Sequence, residues 1–143
     1  MRSIPAKIAA VLAAVAMLVV TAPAPVQAAP AAYFEFTDIT GERFVIQLTD
    51  PDKIQHARDL INGTTADRPH VLGRILPRTA YYNPRWSYHL RSETIDFFDY
   101  AIEVCDATIP YVEDHLGEAG GAFLPGYVWC PWSSRLEREL SGI

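Results

Sequence analysis

The chain has 143 residues, half of them hydrophobic, with twelve basic against seventeen acidic side chains and a formal net charge of −5. That length suits a single domain, and the acidic balance argues against nucleic-acid binding, which requires a basic footprint. The same balance favours a soluble protein with a cationic partner or ligand.

Arg2 and Lys7, the apolar run Ile8–Val20 and the small residues around Val26-Gln-Ala28 follow the three-part layout of a secretory signal peptide. The apolar run falls short of the roughly 20 residues that a membrane span needs, so cleavage near Ala29 is expected over an uncleaved anchor. Residues 1–28 are therefore read as the signal and 29–143 as one compact secreted domain without a membrane span. That domain keeps ten basic and all seventeen acidic residues, a net charge of −7. Cys105 and Cys130 are the two cysteines. In an exported chain they are expected to pair, the rival being two free buried thiols.

Phe34 and Phe36 alternate with polar neighbours, as do Phe44, Ile46 and Leu48, and Gly41 lies between the two runs. This predicts a hairpin. Asp50-Pro51 reads as a helix cap and first turn, Ile54, Ala57 and Ile61 as its apolar stripe, and Asn62-Gly63 as its end. Val71–Leu76 predicts a third strand and Trp86–Leu90 a fourth, with Trp86, Tyr88 and Leu90 on one face and His89 on the other.

From Ser92 onward, Ile95, Phe98, Ile102, Cys105, Ile109, Val112 and Leu116 recur at alternating steps of three and four. That spacing predicts a long amphipathic helix, kinked or broken near Thr108 by Pro110. A last strand is expected around Tyr127–Cys130, and a short helix or loose tail over Arg135–Leu140. The predicted order is β-β-α-β-β-α-β. It describes an α+β domain, an antiparallel sheet of about five strands with helices on one face and one disulfide joining the long helix to the last strand.

Candidate chemistry is sparse. On a helix, Glu93, Asp96, Asp99, Glu103 and Asp106 would form a solvated face, with Glu103 and Asp106 beside Cys105. Paired with His89, either carboxylate is a candidate for general acid or base work in a small hydrolase acting on a polysaccharide or cell-wall component. Asp38 with Glu42, and Asp50 with Asp52, could each bring two oxygens to calcium in an adhesion module, but the ligand number is low and a turn and a helix cap explain them better. No metal site and no cofactor is expected. The aromatics are the richest feature: Trp86, Tyr88, Trp129 and Trp132 fall on neighbouring predicted strands and are candidate ligand-binding residues, as well as candidates for the core.

Six stretches carry a resemblance. They are Phe34-Glu-Phe-Thr-Asp, Phe44-Val-Ile-Gln-Leu-Thr-Asp-Pro, Lys53-Ile-Gln-His-Ala-Arg, Asn83-Pro-Arg-Trp-Ser-Tyr-His-Leu, Ala101-Ile-Glu-Val-Cys-Asp-Ala and Trp129-Cys-Pro-Trp. The chain resembles a family of small secreted bacterial proteins similar to the N-terminal domain of a calmodulin-binding protein from slime moulds. The resemblance implies one extracellular domain with a Cys105–Cys130 bond and brings no catalytic residues. The leading expectation is a secreted, non-enzymatic binding or recognition module, an inhibitor among the possibilities, whose partner is an extracellular protein, peptide or glycan.

Overall fold

The computed structural model describes residues 17–25 and 30–143. Arg2, Lys7, most of the apolar run and the cleavage motif Val26–Ala28 lie outside the described residues. Met17–Val20 is exposed and irregular, and no helix among the described residues is long and apolar enough to cross a membrane.

The hairpin forms as its alternation requires. Strands β1 (Ala32–Thr37) and β2 (Arg43–Leu48) pair antiparallel, with Phe34 opposite Ile46 and Phe36 opposite Phe44. Their turn closes when the Gly41 N–H donates to the Asp38 carbonyl at 3.0 Å, and Gly41 takes φ +76°, which costs a residue without a Cβ little. Helix α1 (Pro51–Ile61) starts at Asp50, whose carboxylate accepts from the Asp52 N–H at 2.9 Å, and Gly63 follows its end at φ +72°. Ile54 and Ala57 on its inner face are buried. Strand β3 (His70–Leu76) follows. The expected fourth strand shortens to β4 (His89–Leu90), yet the alternation ahead of it holds: Trp86, Tyr88 and Leu90 are buried, Ser87 is exposed and His89 half-buried.

The expected long helix does not form. Ser92–Thr94 is one 3-10 turn, Asp96–Phe98 is strand β5 paired with β3, and Glu103–Cys105 is a second 3-10 turn. The same residues are rich in β-branched and aromatic side chains, and pairing with β3 satisfies their backbone in a way local spacing does not reveal. Phe97, off the helical stripe, is buried opposite Val71, while Ile102, on the stripe, is exposed. Pro110 starts a helix instead of kinking one. Helix α2 (Ile109–Asp114) is capped by Thr108 and carries the proline in its first turn, where its missing N–H removes no helical bond.

After α2, strands β6 (Ala119–Gly120) and β7 (Phe123–Pro125) make a small parallel pair, and β8 (Val128–Trp129) pairs antiparallel with β3. Arg135–Leu140, expected as a helix or tail, is strand β9, paired antiparallel with β1. The molecule is thus an α+β fold with antiparallel sheets, few helices and one disulfide. Its strands are more numerous and shorter than the five expected. The order β2-β1-β9 makes one sheet, and β3 with β4, β5 and β8 makes the other. Side chains from both build one core around Phe36, Phe44, Tyr88 and Trp129.

The outer edge of β2 is closed by side chains. Asn83 Oδ1 accepts from the Val45 N–H at 3.0 Å, and Trp86 Nε1 donates to the Arg43 carbonyl at 2.7 Å, so this edge is not free to pair with another chain. On the far side of that sheet, Arg58 of α1 forks onto Glu139 of β9 at 2.7 and 2.8 Å. This bond holds the Glu139 carboxyl below the usual glutamate range.

Cys105 and Cys130 are bonded, with Cα atoms 5.1 Å apart. The bond joins the 3-10 turn Glu103–Cys105, not a helix, to the residue after β8, and the Cys130 N–H donates to the Cys105 carbonyl at 2.8 Å. Phe98 joins the two cysteines in a small second cluster, with Trp132 and Ala101 packed against it.

Candidate functional site

Three of the four aromatic residues expected to hold a ligand are core residues. Trp129 and Tyr88 are fully buried, and Trp86 nearly so. Their polar atoms are spent on the backbone: Trp129 Nε1 donates to the Ala107 carbonyl at 2.9 Å and the Tyr88 hydroxyl to the Ile109 carbonyl at 2.9 Å. A domain of this size builds its interior from large rings, and these faces have no surface left to offer. Trp132 differs. It is half-buried beside the disulfide, and its buried Nε1 has no hydrogen-bond partner among the described residues.

The other expected constellations are dispersed. Asp106 Oδ1 accepts from the Trp132 N–H at 2.9 Å, Glu103 is exposed in its 3-10 turn, and His89 Nδ1 donates to the Arg78 carbonyl at 2.7 Å. Neither carboxylate lines the cavity that His89 lines. Asp38 is buried, with one oxygen taken by the Thr40 N–H and hydroxyl and the other accepting from the Ile109 N–H at 2.6 Å. Asp50 caps α1. Both are thus committed to the fold. Among the described residues, no group of three or more His, Cys, Asp or Glu side chains is placed to hold a metal ion.

The structure brings forward a segment that the helical reading hid. Between β5 and the disulfide, Tyr100, Ile102 and Val104 are 89%, 74% and 62% exposed, while Ala101 and Cys105 turn inward. Three apolar side chains on one short stretch, each facing water, form a patch and not a scatter of single residues. The stretch is held at both ends. Asp99 Oδ1 accepts from the Arg68 N–H at 2.7 Å, and Cys105 is bonded covalently to Cys130. Ile102 itself is extended, at φ −77° and ψ 134°. The signal was present in the sequence as a period of two, Tyr100-x-Ile102-x-Val104, overlapping the period read as helical.

A second feature is a cluster of three tyrosines and His89 near β4. The Tyr33 ring lies 5.3 Å from Tyr82, which lies 5.3 Å from Tyr81 and 6.1 Å from His89. Ser92 Oγ donates to Gln47 Oε1 and Gln47 Nε2 to the Tyr33 hydroxyl, both at 2.9 Å, and the Tyr33 hydroxyl bonds that of Tyr81. Burial pushes the Tyr82 phenol up to about 12, and burial raises Tyr88 further. A raised folded-state pKa contributes stability that is complete below the unfolded value near 10 and is lost as pH rises toward the folded one. Absorbance titration at 295 nm should therefore show Tyr82 and Tyr88 resisting ionisation at pH 11 while the fold loses stability between pH 10 and 12. Substituting phenylalanine at position 82 should flatten that loss, and an unchanged slope would contradict it.

No curated protein and no solved structure matches the chain. A family model for the BP-74 N-terminal domain, the domain of a calmodulin-binding protein, matches residues 30–142, from two residues before β1 to two residues after β9. The match bears out the resemblance read from the motifs, and the chain belongs to this N-terminal domain family.

Proposed function

We propose that the protein is a secreted, non-enzymatic recognition module that docks on an extracellular protein by inserting the Tyr100–Val104 segment into an apolar cleft of its partner. The observation that carries this reading is the exposure of Tyr100, Ile102 and Val104 on a stretch tethered at Asp99 and at the Cys105–Cys130 bond. A tethered segment loses little conformational entropy on binding, so more of its apolar burial is realised as affinity. An inhibitor that fills a cleft in this way is one form the function would take. Secretion is supported by the signal-like layout of residues 1–28 and by the disulfide, which persists in oxidising compartments.

The test is capture from culture medium by residues 29–143, compared with a variant carrying Tyr100→Ser, Ile102→Ser and Val104→Ser. Because all three side chains face water, the variant should fold with stability within about 0.5 kcal/mol of the parent per site. Partner recovery should fall at least about tenfold, as expected when the central anchors of an interface are removed. Undiminished recovery would overturn the reading.

A further inference from the structure

The tyrosine–histidine cluster borders a cavity of about 450 Å³, within the range that holds a small ligand. Its groups are chemically specific. The Arg78 guanidinium lines it and makes no ion pair or hydrogen bond among the described residues, whereas Arg91 at the same rim is shared with Glu93 at 3.5 Å. Because His89 Nδ1 donates to a carbonyl, the neutral ring keeps Nε2 as an acceptor. Ser92 Oγ spends its proton on Gln47, so its lone pairs can accept. Gln47 Nε2 has given one N–H to Tyr33 and keeps a second to donate. Tyr81 stands 71% exposed at the edge, with its hydroxyl fixed by Tyr33, so its ring is a flat apolar face held in place.

Taken together, these groups supply one free guanidinium, a mixture of donors and acceptors, and one anchored aromatic face. We propose that this cavity binds a carboxylated sugar, the ring lying against Tyr81, its hydroxyls on Ser92, Gln47 and His89, and its carboxylate on Arg78. A guanidinium meets a carboxylate through two parallel bonds, which a neutral sugar cannot replace. The mixed donors and acceptors suit ring hydroxyls, each of which both gives and takes a hydrogen bond. In a chain of negative net charge, an unpaired arginine beside a cavity is a local exception that attracts anions. This site is separate from the Tyr100–Val104 segment and stands whether or not that segment docks.

The experiment is titration of residues 29–143, followed by two-dimensional NMR, with D-glucuronate, with its neutral methyl ester and with acetate. Glucuronate should saturate and shift the Gln47 and Ser92 resonances. The ester should bind at least about tenfold more weakly, the loss expected for one charge-assisted pair. Acetate should produce no saturable shift at the concentration that saturates with the sugar acid. Arg78→Ala should bring the acid and the ester to equal, weak affinity, while Arg58→Ala, on the opposite side of β1, leaves the difference intact. No saturation with glucuronate, equal affinity for acid and ester, or acetate binding as tightly as glucuronate would each overturn the assignment.

Discussion

Replacing Trp129 with alanine should cost about 3–5 kcal/mol of folding stability, the range for removing a large ring from a packed interior. A domain of this size has about 5–15 kcal/mol in all, so the loss is a large share of the total. Trp129 is fully buried and its ring lies 5.2 Å from Phe44, 5.5 Å from Tyr88 and 6.0 Å from Phe36, which makes it the shared neighbour of both sheets. Its removal also strips the Ala107 carbonyl of the indole N–H that satisfies it. Trp129→Phe separates the two effects: it keeps most of the volume and should lose only about 1–3 kcal/mol, the cost of an orphaned buried polar group. Urea unfolding at 25 °C measures both. Equal losses in the two variants would mean that the hydrogen bond, and not the packing, carries the effect.

Removing the disulfide with Cys105→Ser and Cys130→Ser should cost about 3–4 kcal/mol on the chain-entropy estimate for a bridge spanning 25 residues. The effect should not be confined to global stability. Cys105 is the C-terminal tether of the exposed segment, and only Asp99 would still hold its other end. Amide exchange over residues 99–104 should therefore accelerate under conditions in which β1 and β2, away from the bond, remain protected. Uniform exchange across the molecule would show that the bond serves the fold as a whole and not the segment.

What was legible in the sequence was whatever local chemistry decides. The hairpin, α1 and β3 were readable because alternation, Asp50-Pro51 and Asn62-Gly63 act within a few residues. The burial pattern of Trp86, Tyr88 and Leu90 was readable for the same reason, although most of that stretch is not strand. The region after Ser92 was not readable, since a three-and-four spacing and a two-residue spacing coincide there and only pairing with β3 chooses between them. Strand β9 depended on β1, about a hundred residues earlier, and nothing local announces such a partner. The candidate sites follow the same division. Trp86, Tyr88 and Trp129 attracted attention as aromatics, but the core claimed them. Tyr100, Ile102 and Val104 were hidden because the helical reading placed Ile102 inside. Arg78, Tyr81 and His89 meet at a cavity that no sequence spacing brings together.

The most direct measurement of the central claim is photo-crosslinking from a single position. A photoreactive residue in place of Ile102, compared with one in place of exposed Glu118 on the 3-10 turn after α2, reports which surface touches the partner. The account expects one protein from the medium to be linked covalently from position 102 and not from position 118. Linkage from 118 at equal yield, or none from 102, would contradict it.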